Sequence, residues 1–287
     1  MTHQPQKIIA LVDGSIYSTS VCDHAAWISQ RTDAPVELIH MLGRREAADT
    51  HDHSGAIRLG ARTALLEELA ELDAQRAKLI SHKGRAILED ARSILDAAGV
   101  SEISTRLRHG DIVEAVAEVE TDARVIIVGK RGEAADFAKG HLGSNLERII
   151  RASQKPIFVA SRAFKPIQKV LVAYDGGVSA IKAIDHIARS SLFQGLAIHV
   201  VTVGVATPEM TKSLDSAHAM LKAAGLDAHI TILPGQPETA LGQLVDEAQF
   251  DMLVMGAYGH SRIRNLIIGS TTTAMIRSCK VPVILMR

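Results

Sequence analysis

Gly256 and Gly259, with nine residues separating Gly259 from Gly269-Ser270, form the segment of this sequence best equipped for chemistry. The apolar run Asp251-Met252-Leu253-Val254-Met255 leads into it and reads as a buried strand. A strand that opens into spaced glycines and then a helix is a phosphate-holding arrangement. Glycine lets the backbone approach a ligand closely, and the N–H groups at a helix start point at it. Ser270, Thr271 and Thr272 add hydroxyl donors, and His260, Arg262 and Arg264 bring positive charge into the intervening stretch. One charge near an exposed helix terminus contributes only about 0.3–1 kcal/mol, so an anion site here needs several donors acting together. Asp175, at the end of another apolar run, suits the other end of a nucleotide. Its carboxylate can accept from an adenine amino group or a ribose hydroxyl. The same carboxylate can instead cap the turn at Gly176-Gly177, and residue type leaves both duties open.

The glycine pattern occurs a second time in altered form: Gly129, Gly132, then ten residues, then Gly143-Ser144. The elements needed to hold the two patterns also come in pairs. Lys7–Val12, ending at Asp13-Gly14, matches Lys169–Tyr174, ending at Asp175-Gly176. Helical patterns follow at about Ser18–Arg31 and Ser179–Leu192, then second strands at Val36–Met41 and Ala197–Val201. Turns at Gly110 and Gly235 open amphipathic helices near Asp111–Glu120 and Glu238–Ala248. The buried strands Val125–Val128 and Met252–Met255 carry the glycines into helices at about Leu142–Ala152 and Thr271–Ser278. Proline-led strands, Pro156–Ala160 and Pro282–Met286, close the two copies. Strands alternating with helices imply crossover connections and a mostly parallel sheet covered on both faces. The chain therefore reads as an α/β protein of two tandem domains, 1–163 and 164–287, joined by a short linker around Ser161–Ile167.

The first copy is about 35 residues longer than the second between its aspartate and its glycine pattern. The extra length lies at about residues 49–98: a polar loop, Asp49-Thr50-His51-Asp52-His53, and a long helical pattern, roughly Ile57–Ala98. Leu65, Leu69, Leu72, Arg76, Leu79, Ile87, Ala91 and Ile94 form its stripe, and Ser81-His82-Lys83-Gly84 is placed to bend or break it. Two uses stand open, a helix laid on the sheet or a docking arm for a partner or a second copy.

Composition removes whole classes. Formal net charge is zero, with 32 basic and 32 acidic residues, so no global field draws nucleic acid or an anionic membrane. Aromatics are 3%, which disfavours base-stacking platforms. The two cysteines, Cys22 and Cys279, form no CxxC pair and read as helix-packing residues in a reducing compartment. No run nears the roughly 18 apolar residues of a spanning helix, and Ile8–Val12 is too short for a signal core. A soluble cytoplasmic protein is expected.

With Asp175 preceding it, the pattern Gly256-x-x-Gly259, nine residues, Gly269-Ser270 resembles that of the universal stress protein family in its tandem form. The resemblance covers nearly the whole chain, with a complete motif in the second half and a weaker one in the first. It implies five-stranded parallel sheets of order 3-2-1-4-5, as in adenine nucleotide alpha hydrolase-like folds, and pairing of the two closing strands into an intramolecular pseudo-dimer. It also implies binding of ATP, AMP or ADP, with magnesium accompanying the phosphates. By this resemblance Asp175 meets adenine or ribose, Val200 contacts adenine through its backbone, and Met255, Gly256, Gly259, His260, Gly269, Ser270 and Thr271 line ribose and phosphates. In the first half the matched positions are Asp13, Met41, Val128, Gly129, Gly132, Gly143, Ser144 and Asn145. There Glu133 and Asp136 oppose phosphate while Lys130, Arg131, Lys139 and His141 attract it, and the extra residue reshapes the loop. The first site is expected to bind weakly or to take a different ligand.

Other chemistries fit less well. No Gly-Lys-[Ser/Thr] follows a second glycine at Walker A spacing, and no G-x-G-x-x-G follows a first strand. Asp175-Gly176-Gly177-Val178-Ser179 lacks the leading serine and Asp-Ser end of an ATP pyrophosphatase loop. His51-Asp52-His53 is a lone H-x-H pattern, more often solvated than metal-bound. Three functions remain: a nucleotide-responsive regulatory module acting in stress response, an interaction protein with a vestigial site, and slow ATP hydrolysis with His260 as the one nearby base. Partners are expected to be an adenine nucleotide and an unidentified protein or further copy, with no nucleic acid and no membrane.

Overall fold

The computed structural model describes residues 6–42, 59–130, 143–257 and 268–287. In the first half β1 (Lys7–Leu11), α1 (Ser18–Thr32), β2 (Val36–Leu42), α2 (Leu59–Ala97), β3 (Ile103–His109), α3 (Ile112–Val119), β4 (Ala123–Gly129), α4 (Ser144–Ala152) and β5 (Ile157–Ala160) follow in order. The second half repeats them as β6 (Lys169–Ala173), α5 (Val178–Arg189), β7 (Ala197–Val203), α6 (Pro208–Ala223), β8 (Ala228–Leu233), α7 (Pro237–Glu247), β9 (Met252–Gly256), α8 (Ser270–Ser278) and β10 (Val283–Met286). Each half orders its strands 3-2-1-4-5, and the ten strands make one sheet, β3-β2-β1-β4-β5-β10-β9-β6-β7-β8. All pairs within a half are parallel. At the seam β5 and β10 run antiparallel, Ile284 opposite Phe158, so the tandem halves form the expected pseudo-dimer.

The central strands are continuous apolar runs because both faces are covered. One face packs under α1, α2, α5 and α6, with Ile8, Ala10, Leu38, Val172 and Val200 among its buried residues. The other packs under α3, α4, α7 and α8, with Ile9, Ile126, Leu171, Val201 and Met255. Side-chain bonds hold the halves together beyond the strands. Arg31 Nε donates to the Leu192 carbonyl at 2.7 Å, Lys130 Nζ to the Cys279 carbonyl at 2.9 Å, and Arg287 Nη1 to the Arg151 carbonyl at 2.7 Å. Among the described residues no helix is long and apolar enough to cross a membrane.

The long helix departs from the sequence reading in two ways. Residues 81–84 do not break it; α2 is continuous. Gly84 is there for clearance. A Cβ on it would lie 2.8 Å from Leu107 Cδ1 and 2.9 Å from His40 Cδ2, so glycine lets the helix settle onto β2 and β3. Nor does α2 lie along the sheet for its whole length. From Gly84 onward Leu88, Ala91 and Leu95 are buried, whereas Leu65, Leu66, Leu72 and Leu79 are exposed, Leu79 at 70%. The packed half is a crossover helix, and the half before it stands off the body.

Candidate functional site

The C-terminal ends of β6, β7 and β9 open onto one cavity of about 210 Å³. Its walls are Ala173, Tyr174 and Asp175 after β6, Val201 and Val203 of β7, Pro237 and Leu241 of α7, and Met255-Gly256 of β9. Gly269, Ser270, Thr271 and Thr272 at the start of α8 complete it. This is the edge of a doubly wound sheet at which ligands bind. The cavity has an apolar side, Val201, Val203, Leu241 and Met255, suited to a flat ring. Its other side is the start of α8, where Gly269 is the N-cap and no side chain among the described residues caps the helix. The leading N–H groups of a helix have no intrahelical acceptor, so this end is a ready anion cradle.

Local bonds fix the geometry. Gly269 N–H donates to the Ala257 carbonyl at 3.2 Å, which brings the two ends of the glycine segment together. Thr272, 3% exposed, donates its hydroxyl to the Gly256 carbonyl at 3.1 Å and ties α8 to the end of β9. Asp175 Oδ1 accepts from Gly177 N–H at 2.8 Å, so one carboxylate oxygen closes the turn into α5 while the residue lines the cavity. Gly176 takes φ +74°, a conformation that favours glycine. Gly269, at φ −59° and ψ 145°, needs no such freedom. Gly256 is a packing glycine, because a Cβ there would sit 2.9 Å from Ser179 Cβ at the start of α5.

Of the expected second-half residues, Asp175, Met255, Gly256, Gly269, Ser270 and Thr271 come together at the cavity. The side chain of Val200 is buried on the opposite face with Val172 and Val254, because strand residues alternate in direction, so only its backbone is left for the expected adenine contact. Val201 and Val203 take the wall instead. The register states the reason: Ala173 pairs with Val201, so Asp175 is level with Val203, just as Leu11 pairing with Ile39 sets Asp13 level with Met41. Pro237, Leu241 and Tyr174 also escaped the sequence reading. Pro237 at the start of α7 was the available signal, since it fixes where Leu241 falls one turn later. Gly259 and His260, together with Arg262 and Arg264, lie outside the described residues.

The first half repeats the layout. Asp13 follows β1, Met41 is near the end of β2, Val128-Gly129 end β4, Gly143 is the N-cap of α4, and Ser144 and Asn145 begin it. Asp13 Oδ1 accepts from Ser15 N–H at 3.0 Å and from the Ser18 hydroxyl at 3.3 Å. Above that turn a Cβ on Gly14 would meet Ile87 Cδ1 of α2 at 2.9 Å, so the long helix closes tightly over it. Gly132, Glu133 and the His51-Asp52-His53 cluster lie outside the described residues. Among the described residues there is no group of three or more potential metal ligands. Cys22 and Cys279 are buried and free, and burial pushes the Cys22 thiol up to about 12.

A model of the Universal stress protein family matches residues 5–161 and again 166–287. A universal stress protein of Synechocystis sp. is 37% identical over 286 residues, covering 98% of this chain and all of the relative. One from Mycobacterium tuberculosis is 24% identical over 250 residues, 75% of this chain and 78% of that one. Among solved structures, a universal stress protein from Archaeoglobus fulgidus superposes with a TM-score of 0.74 over 99% of both chains at 20% identity.

Proposed function

This chain belongs to the universal stress protein family, and we propose that its second half holds an adenine nucleotide whose occupancy alters the shape or partner affinity of the tandem unit. The observation that carries the reading is one cavity with an apolar wall on one side and, on the other, a helix start that no described side chain caps. Adenine packs against Val201, Val203, Leu241 and Met255. Ribose hydroxyls meet Asp175, which accepts a hydrogen bond from them. Phosphate oxygens take the N–H groups and hydroxyls of Ser270 and Thr271, with Gly259 and His260 completing the motif. ATP, ADP or AMP satisfy this arrangement, and a magnesium ion would neutralise part of a triphosphate's charge. The first half, with Glu133 in its glycine segment, binds more weakly.

The test is extraction and chromatography of ligand from the purified protein, followed by ATP titration against thermal stability. A ligand at a hundred times its Kd adds about 2.7 kcal/mol to the folded state. Gly269→Val should abolish the shift, because φ −59° accepts any residue and the added side chain alters the cavity rather than the backbone. Gly143→Val should leave it nearly intact. Absence of bound nucleotide together with no stabilisation at millimolar ATP would sink the proposal.

A further inference from the structure

The half of α2 that stands off the body carries exposed leucines. Leu65, Leu66, Leu72 and Leu79 are exposed, over a stretch about 22 Å long at 1.5 Å per residue. A helical stretch this exposed is marginal in water by itself. Leu65, Leu72 and Leu79 repeat every seven residues, and Leu69 and Arg76 fill the alternate positions, so the spacings run four, three, four, three. That is the seam of a two-stranded coil.

Charge selects the occupant and the direction. The first part of the stretch is acidic, with Glu67, Glu68, Glu71 and Asp73; the part that follows is basic, with Arg76, Lys78, Lys83 and Arg85. All eight are exposed. A parallel pair in register would set acid against acid and base against base. A pair running in opposite directions sets the acidic part of each helix against the basic part of the other. It also places Leu69 of each copy opposite Leu79 of the second and Leu72 opposite Arg76. The sequence of this helix is therefore complementary to itself when reversed, the condition a two-fold symmetric contact imposes.

We propose that two copies of this chain associate through residues 65–85 of α2, packed antiparallel about a two-fold axis near residue 74. The interface is separate from the β5–β10 seam, which is internal to one chain. It projects from the end of the sheet where β2 finishes, because α2 returns the chain from there to the start of β3.

The experiment is sedimentation equilibrium of the full chain from about 1 to 100 μM at low and high salt. The wild type is expected to be a dimer that weakens as salt rises. Leu72→Gln with Leu79→Gln should weaken it about a thousandfold or more, since four leucines across the pair lose their burial. Both positions are exposed in the single chain, and unchanged far-UV circular dichroism and ATP-dependent stabilisation would verify that the variant is folded. Reversing the acidic part (Glu67, Glu68 and Glu71 to Lys) should separate the copies. Reversing the basic part as well (Lys78, Lys83 and Arg85 to Glu) in the same chain should restore the pair. A monomeric wild type across the range, or a dimer indifferent to the leucine replacements, overturns the proposal. Failure of the double reversal to restore the pair overturns the antiparallel arrangement.

Discussion

His24 makes the seam of the pseudo-dimer sensitive to acid. It is fully buried in α1, with Phe158 of β5 and Phe164 of the linker each 5.0 Å from its ring. Its Nδ1–H donates to the Ser20 carbonyl at 2.6 Å, and Nε2 has no partner among the described residues. The neutral ring tolerates this, since Nε2 is then only an unused acceptor. Protonation would place a charged N–H against two phenyl rings, and burial accordingly pushes the imidazole down to about 4. The sign follows from comparing states. Above pH 6.5 both folded and unfolded chains hold His24 neutral, and stability is unaffected. Between 6.5 and about 4 only the unfolded chain takes the proton, so stability falls as pH falls. A gap of roughly 2.5 pH units corresponds to about 3 kcal/mol in full, of which about 2 kcal/mol is lost by pH 5. Urea unfolding of the wild type and His24→Leu should be compared at half-unit steps from pH 7.5 to 5. The difference between them isolates this residue from the other histidines. The variant should gain about 2 kcal/mol relative to the wild type across that range. A difference constant to within about 0.5 kcal/mol would refute the argument.

Other expectations follow from single contacts. Gly256→Ala should cost about 1–3 kcal/mol in urea unfolding, because its methyl meets Ser179 Cβ at 2.9 Å and the backbone N of Ala180 at 3.4 Å. Adding Ser179→Gly should recover part of that loss, measured as a double-mutant coupling. Phe158→Ala should lower stability by about 3–5 kcal/mol, since the ring is fully buried at the join of the halves. Its denaturation should also lose coincidence between probes of the two halves, and a single coincident transition would show that Phe158 is not what couples them.

Much of this architecture was legible from residue order. The apolar runs before Asp13 and Asp175 are strands because β-branched residues fill them, and the Asp-Gly pairs end them. The matched series of turns and glycines exposed the duplication. The outer strands were harder. Residues 103–109, Ile-Ser-Thr-Arg-Leu-Arg-His, carry little apolar pattern because β3 is an edge strand and much of it stays in water. Which face each residue of β7 takes was not legible either. A run such as Ile-His-Val-Val-Thr-Val gives no alternation to say which face each residue takes, and only pairing with β6 decides it. The misreading at residues 81–84 had the opposite origin. Glycine in a helical pattern signals either a break or a close approach, and the approach is to His40, Leu42 and Leu107, far away in sequence.

The glycines at the centre of the site divide into two physical roles that sequence alone merges. Gly256 lacks a side chain so that α5 can press against the end of β9, and that contact sets where the Asp175 turn lies relative to the cavity. Gly269 has an ordinary conformation and begins a helix that no described side chain caps. Its neighbour Thr272 bonds to the Gly256 carbonyl, so the helix start is held against the same strand end that Gly256 allows α5 to reach. One strand end thereby fixes both sides of the cavity, the carboxylate and the anion-facing helix. A substitution at Gly256 moves the frame and must appear in stability before it appears in binding. A substitution at Gly269 leaves the frame in place and must appear in binding first. The order in which the two effects arise distinguishes a packing glycine from a ligand-facing one.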